Sequence, residues 1–145
     1  MRLSLSDKKT GGEILLISSE PQLDRYYYQR DKDNKYFTIA WNTGIMQTVT
    51  IDGKEHDFMK DAILPLMFNQ SFCFGRPEDI VAWQFNREFY CIIDHDVEVS
   101  CVGFLFARAD QVFINTDEQA RVKLKLLLHI GNNILYRGTC FHPNK

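Results

Sequence analysis

The densest run of groups able to hold a metal or move a proton is Cys91-Ile92-Ile93-Asp94-His95-Asp96-Val97-Glu98-Val99-Ser100-Cys101, which carries thiols, an imidazole and carboxylates side by side. Read as a calcium loop from Asp94, it has acids at the first, third and fifth positions. Val99 then stands where the loop needs glycine, and Leu105 where it needs a bidentate glutamate. Read as a zinc site, it has no ligand spacing that would bring four groups together. The run therefore reads as a polar loop between strands whose cysteines are packing residues. Asp94 and Asp96 would share one side of an extended chain, yet nothing confines a substrate beside them.

Nucleophilic catalysis needs a Cys or Ser activated by an oriented base, and the candidates are Cys91, Cys101 or Cys140 with His56, His95, His129 or His142. No nucleophile elbow, Walker loop or dinucleotide fingerprint accompanies them. The expectation is a chain that is not an enzyme and has no catalytic residue, no metal and no cofactor. Together with Cys73, the cysteines are too few and too scattered for a disulfide scaffold, so reduced, partly buried thiols are expected.

Ligand binding is the other chemistry on offer. Phe37, Trp41, Phe68, Phe72, Phe74, Trp83 and Phe85 fall at alternate positions of extended segments, where rings either fill an interior or line a cavity. Gln70 and Asn42 lie among them, and polar groups on an apolar inner face are what a pocket uses to orient a ligand. The candidate ligand-binding set is Trp41, Gln70, Phe72, Trp83 and Phe85.

Elements must position these residues, and the period along the chain defines them. Residues 1–12 end in Thr10-Gly11-Gly12 and read as a loose arm; Ile14–Ile17 is a strand or a small helix. Tyr26–Lys35 passes from aromatic to charged and reads as a solvated loop. From Tyr36 the period is two, with Phe37, Ile39 and Trp41 on one face of a strand. Asp52-Gly53 marks a type I′ hairpin. Pro65 places the run from Ala62 to Phe68 at a sheet edge or bulge. Phe68, Gln70, Phe72 and Phe74 alternate; Ile80–Arg87 is a strand with Val81, Trp83 and Phe85 on its apolar side; Cys101–Phe106 is a further strand. Thr116 to Gln119 has capping-box spacing, predicting a helix over 117–130 that stops at Gly131, with a tail over 132–145.

Short strands with turns between them, then one helix, predict a single domain over 1–145: an all-β sandwich or small barrel with a C-terminal helix. The 145 residues are 45% hydrophobic and 25% charged, inside the globular range, with no apolar run of transmembrane length, and a cytoplasmic protein is expected. A formal net charge of -2 gives no global positive field to recruit nucleic acid. Leu124, Leu126, Leu127 and Leu128 cover more of the helix than packing on one sheet requires, so they form the expected interface of a homodimer. The tail residues Ile134, Leu135, Tyr136 and Phe141 could cover the same stripe within one chain.

Tyr36–Gly44, Val81–Cys91 and Asp96–Phe106 together give the chain a likeness to a known family. Over roughly residues 36 to 120 it resembles the N-terminal cupin-like domains of AraC-type transcription regulators, of the sort abundant in Bacteroidetes. The resemblance implies a cupin or jelly-roll β-sandwich that senses a small-molecule effector or mediates dimerisation. DNA is bound in that family by a separate helix-turn-helix domain, which this chain does not contain. Counted from Gly44, the positions of the His-x-His motif of metal-binding cupins hold Thr50 and Asp52, and the second motif's histidine falls near Gln70. That departure favours a binding module over the alternative, a stand-alone cupin enzyme with a non-standard metal centre built from His56, His95 and nearby carboxylates.

Overall fold

The computed structural model describes residues 2–21, 23–25, 36–89 and 113–140. The cluster from Cys91 to Cys101, the strand expected over Cys101–Phe106, and the charged run after Tyr26 lie outside the described residues, as does the tail beyond Cys140.

Nine strands and a C-terminal helix are described: β1 (Arg2–Ser6), β2 (Glu13–Ser18), β3 (Asp24–Arg25), β4 (Phe37–Asn42), β5 (Gln47–Ile51), β6 (Lys54–Phe58), β7 (Ile63–Leu66), β8 (Phe72–Phe74), β9 (Ile80–Phe85) and α1 (Glu118–Cys140). They form two antiparallel sheets, of order β1-β2-β9-β4-β7 and β3-β8-β5-β6. From β2 onward each successive described strand crosses to the other sheet except at the β5–β6 hairpin, so the sheets are wound together. The result is an all-β sandwich carrying one long helix.

Alternation along the strands divides the first sheet into two apolar faces. Ile17, Ala40, Leu64, Leu66, Ile80 and Ala82 point inward and meet Val49, Ile51, Phe58, Phe72 and Phe74 of the second sheet. The opposite face carries Leu16, Trp41 and Val81 beside Leu3, Ile63 and Trp83, and Leu124 and Leu128 of α1 pack against it. Farther along, Phe37 and Phe85 stack with ring centroids 5.9 Å apart and close a third cluster with Ile14, Ile39, Met67 and Phe89. Each fully buried Leu or Phe contributes about 1.5–3 kcal/mol relative to exposure. Both faces of this sheet are therefore stabilising, and its strands read as nearly continuous apolar runs.

One turn, one strand and one edge agree with the sequence. Asp52 and Gly53 have φ of 50° and 82°, the double positive φ of a type I′ turn, and β5 pairs β6 from Gln47↔Phe58 to Ile51↔Lys54. Ile14–Ile17 belongs to a strand. Pro65 sits in β7, which is an edge of the first sheet.

Four expectations are corrected. Residues 1–12 are not a loose arm: Arg2–Ser6 pairs with β2 from Arg2↔Ile17 to Ser6↔Glu13, because the turn is closed by Asp7 N to Gly12 O at 2.8 Å and Gly11 N to Asp7 O at 2.8 Å. Only Phe72–Phe74 of the alternating Phe68–Phe74 segment is a strand; the Gln70 side chain accepts from the Met67 N–H at 2.8 Å and stabilises a turn. Asp117, not Thr116, caps α1, accepting from Ala120 N at 2.7 Å, while the Thr116 hydroxyl donates to the Asp61 carbonyl. Finally, α1 does not stop at Gly131 but continues to Cys140, so most of the expected tail is helical. A glycine inside a helix costs about 1 kcal/mol, too little alone to end it.

Candidate functional site

Strand register brings polar residues together at one end of the space between the sheets. Phe37 pairs with Phe85 and Ile14 with Phe85, so Tyr36, Asn86 and Glu13 form one row across β4, β9 and β2. The next row inward is Thr38, Gln84 and Leu15. These positions alternate in phase with Ala40, Ala82 and Ile17, which face the core. The inner surface thus changes from apolar to polar over two rows.

Thr38 is fully buried and Gln84 nearly so. The Gln84 amide donates to the Thr38 hydroxyl oxygen at 3.1 Å, a directly cross-strand pair. The bond leaves the Thr38 hydroxyl hydrogen, the Gln84 carbonyl oxygen and one amide hydrogen available to a further polar group. In the outer row the Tyr36 phenol donates to the Glu13 carboxylate. Burial, then that hydrogen bond, then the Glu13 charge push the Tyr36 phenol up to about 12. Tyr36 therefore stays a neutral donor throughout the physiological range.

Asn86 holds the row in place. Its side-chain oxygen accepts from Glu13 N at 2.9 Å and Phe89 N at 3.0 Å, and its amide donates to Gly11 O at 2.7 Å. The ends of β2 and β9 are thereby tied to the β1–β2 turn, which fixes Glu13 beside Tyr36. The arrangement sets hydrogen-bond donors and acceptors side by side along the inner surface of the first sheet.

The opposite end is also polar but closed on itself. Buried Asn42 donates to the carbonyls of Ile45 and Phe58 at 2.9 and 3.0 Å and accepts from Gly44 N at 3.1 Å. Gln47 donates to Arg76 O at 3.1 Å and accepts from Arg76 N at 3.0 Å. These amides tie turns to strands and leave little for a ligand.

The residues singled out in the sequence do not converge on one cavity. Trp41 and Trp83 lie on the outer face of the first sheet, beneath α1. Phe85 is on that same face in the neighbouring cluster, whereas Phe72 faces the interior from the second sheet. Gln70 serves its turn. The Trp41 indole N–H is buried without an acceptor among the described residues. Of the helix leucines, Leu124 and Leu128 pack on the sheet, and Leu126 and Leu127 are each 55% exposed. The positions compared with cupin ligands are also dispersed: Thr50 lies on β5 between the inward-facing Val49 and Ile51, and Asp52 in its hairpin accepts from Ser71 N at 2.9 Å.

Thr38, Gln84, Tyr36 and Glu13 were the residues missed. Gln84 carried the available signal, a lone amide inside Ile80–Phe85, but assigning Val81, Trp83 and Phe85 to the apolar side sends Gln84 toward solvent. No cluster of metal-ligating groups occurs among the described residues, and no described helix is long and apolar enough to cross a membrane. His56 lies on β6 with its ring 5.8 Å from that of Phe113. Comparison with protein-family models, curated proteins and solved structures returns no match.

Proposed function

We propose that the chain is a non-catalytic, jelly-roll sensor module of the cupin type: the ligand-sensing and dimerisation domain of an AraC-type transcription regulator, whose DNA-binding domain is separate from this chain. The observation that carries the sensing part is the buried Thr38–Gln84 pair at the polar end of the interior, with Tyr36 and Glu13 beside it. A hydroxyl and an amide on an apolar wall, each able to form more hydrogen bonds than the one they share, favour a small molecule that takes up the remaining capacity. The order β2-β9-β4-β7 facing β3-β8-β5-β6 supports the jelly-roll part, because a double Greek key places sequential strands in opposite sheets in this way.

The effector is a small polar molecule, neutral or zwitterionic, that exchanges hydrogen bonds with the hydroxyl, amide and phenol. A thermal-shift and calorimetry panel of sugars, amino acids and small amides tests this. At least one class is expected to raise the melting temperature of the wild-type chain and to lose its effect in Thr38→Val and Gln84→Leu variants. A panel without a shift, or binding unchanged in both variants, overturns the reading. Elemental analysis tests the enzyme alternative: close to one equivalent of zinc, iron, manganese or nickel, lost on changing His56 or His95, would replace the sensor with a metal-dependent cupin.

A further inference from the structure

Sheet edges invite pairing with another strand, and proteins blunt them with proline, charge, shortness or cover. Among the described residues the two sheets have four edges, and three of them are blunted. β7 carries Pro65, and Ile63 exchanges backbone hydrogen bonds of 2.8 Å with Ile114. β6 presents Lys54, Glu55 and Asp57 to solvent. β3 is two residues long. β1 is the exception: five residues, Arg2-Leu3-Ser4-Leu5-Ser6, with no proline, no acid and a 44% exposed Leu5. Among the described residues it pairs with β2 on one side alone, with α1 passing over its face. In an antiparallel ladder every second residue turns its N–H and C=O away from the existing partner, so β1 offers these groups to a new strand.

The edge is also held ready. The Asp7–Gly12 turn is closed by two backbone bonds, and the Asp7 carboxylate accepts from Lys9 N and the Thr10 hydroxyl, each at 3.0 Å. A strand fixed before binding loses little conformational freedom on pairing.

We propose that two copies of this chain pair through β1, antiparallel and in register about Ser4, joining the two five-stranded sheets into one. This register uses all five residues. It sets Ser4 against the partner's Ser4, Leu3 against the partner's Leu5, and Ser6 against the partner's Arg2. Leu3 and Leu5 oppose Leu16 and Ile14 of β2, so both lie on the face covered by α1, and the new cross-strand leucine pairs extend that apolar layer. The charges agree: the partner's Arg2 arrives one residue from Asp7, and no like charges face each other. A cleft of about 370 Å³ lined by Leu5, Ser6, Asp7, Gly12 and Phe89 opens at that end of the strand. The pairing does not depend on a ligand in the interior, and it places the two-fold contact at the sheet edge rather than on the helix leucines alone.

Sedimentation velocity on the full chain over a concentration series, up to about 100 µM, tests the proposal. The wild-type protein is expected to dimerise. Ser4→Lys sets two ammonium groups against each other across the axis and is expected to weaken the dimer by about tenfold or more. Ser4→Cys is expected to cross-link under mild oxidant faster than the wild-type thiols, since directly opposed residues have Cα atoms about 4.5–5.5 Å apart, within disulfide range. A monomer throughout the series overturns the proposal, and so does an unchanged Ser4→Lys dimer. Dissociation by Leu126→Lys with Ser4→Lys intact would place the interface on α1 and also overturn it. Should Ser4→Lys fail to fold, as read by circular dichroism, the Ser4→Cys cross-link decides.

Discussion

Thr38 and Gln84 depend on each other in a way that separates structural from binding roles. Thr38→Val removes the acceptor and leaves a buried amide unpaired, which costs about 1–3 kcal/mol. Gln84→Leu leaves a buried hydroxyl and costs a similar amount, whereas the double variant removes both groups and is expected to recover much of the loss. Urea titration of the four proteins gives the coupling; strictly additive losses would mean that the two side chains do not act as a pair. Tyr36 provides a second handle. Its phenol ionises near 10 in the unfolded chain and near 12 in the folded one, so the folded state retains the proton that the unfolded state has lost. Its stabilisation is full below about pH 10 and declines as pH rises toward 12. The wild-type protein is expected to lose stability between pH 9.5 and 11.5 more steeply than Tyr36→Phe, as read by paired denaturant titrations; equal slopes would remove the Tyr36–Glu13 bond from the account.

Among the elements, the β5–β6 hairpin was the most legible, because its turn depends on local backbone geometry. Gly53 has φ of 82° with nothing within 4 Å of where a Cβ would sit, so Gly53→Ala is opposed by backbone conformation alone. A loss of about 1 kcal/mol is expected, with Gly53→Asn retaining more stability than Gly53→Ala, both read from melting curves. Pro65 was legible for a similar reason, since a missing N–H forces an edge. The faces of the sheet were not. Period-two alternation separates Trp41 and Trp83 from Thr38 and Gln84 but does not say which set looks into the sandwich, and a helix over the outer face makes both sets apolar. Candidate residues were therefore drawn from the outer face of the first sheet, in Trp41, Trp83 and Phe85, and from the inner face of the second, in Phe72, while the Gln84 amide that faces the interior was passed over. β1 escaped notice because the alternation of Leu3-Ser4-Leu5-Ser6 spans only four residues before the polar Asp7-Lys8-Lys9, and its pairing is dictated by a turn whose carboxylate bonds are not visible in composition. The length of α1 was missed because Gly131 was weighed as a stop, although one glycine costs less than continued helical hydrogen bonding returns.

For the whole molecule, charge sets what the chain does with nucleic acid by itself. Seventeen Lys and Arg residues are outnumbered by 19 Asp and Glu, and the described lysines fall on separate elements: Lys8 and Lys9 in the first hairpin turn, Lys54 on β6, Lys60 in a turn, Lys123 and Lys125 on α1. Of the arginines, Arg76 is already engaged with Asp79 at 2.9 Å and Arg121 with Asp61 at 3.8 Å. Affinity for duplex grows with the number of phosphates neutralised, each releasing counterions, and a site with few aligned cations has both weak binding and a shallow salt dependence. Fluorescence anisotropy with labelled duplex is therefore expected to show no sub-micromolar binding at physiological salt, and a slope of log K against log salt of small magnitude when salt is lowered. Tight binding with a steep slope would assign this chain a phosphate-contacting surface of its own, and would contradict a division of labour in which sensing and pairing reside here and DNA recognition in a separate domain.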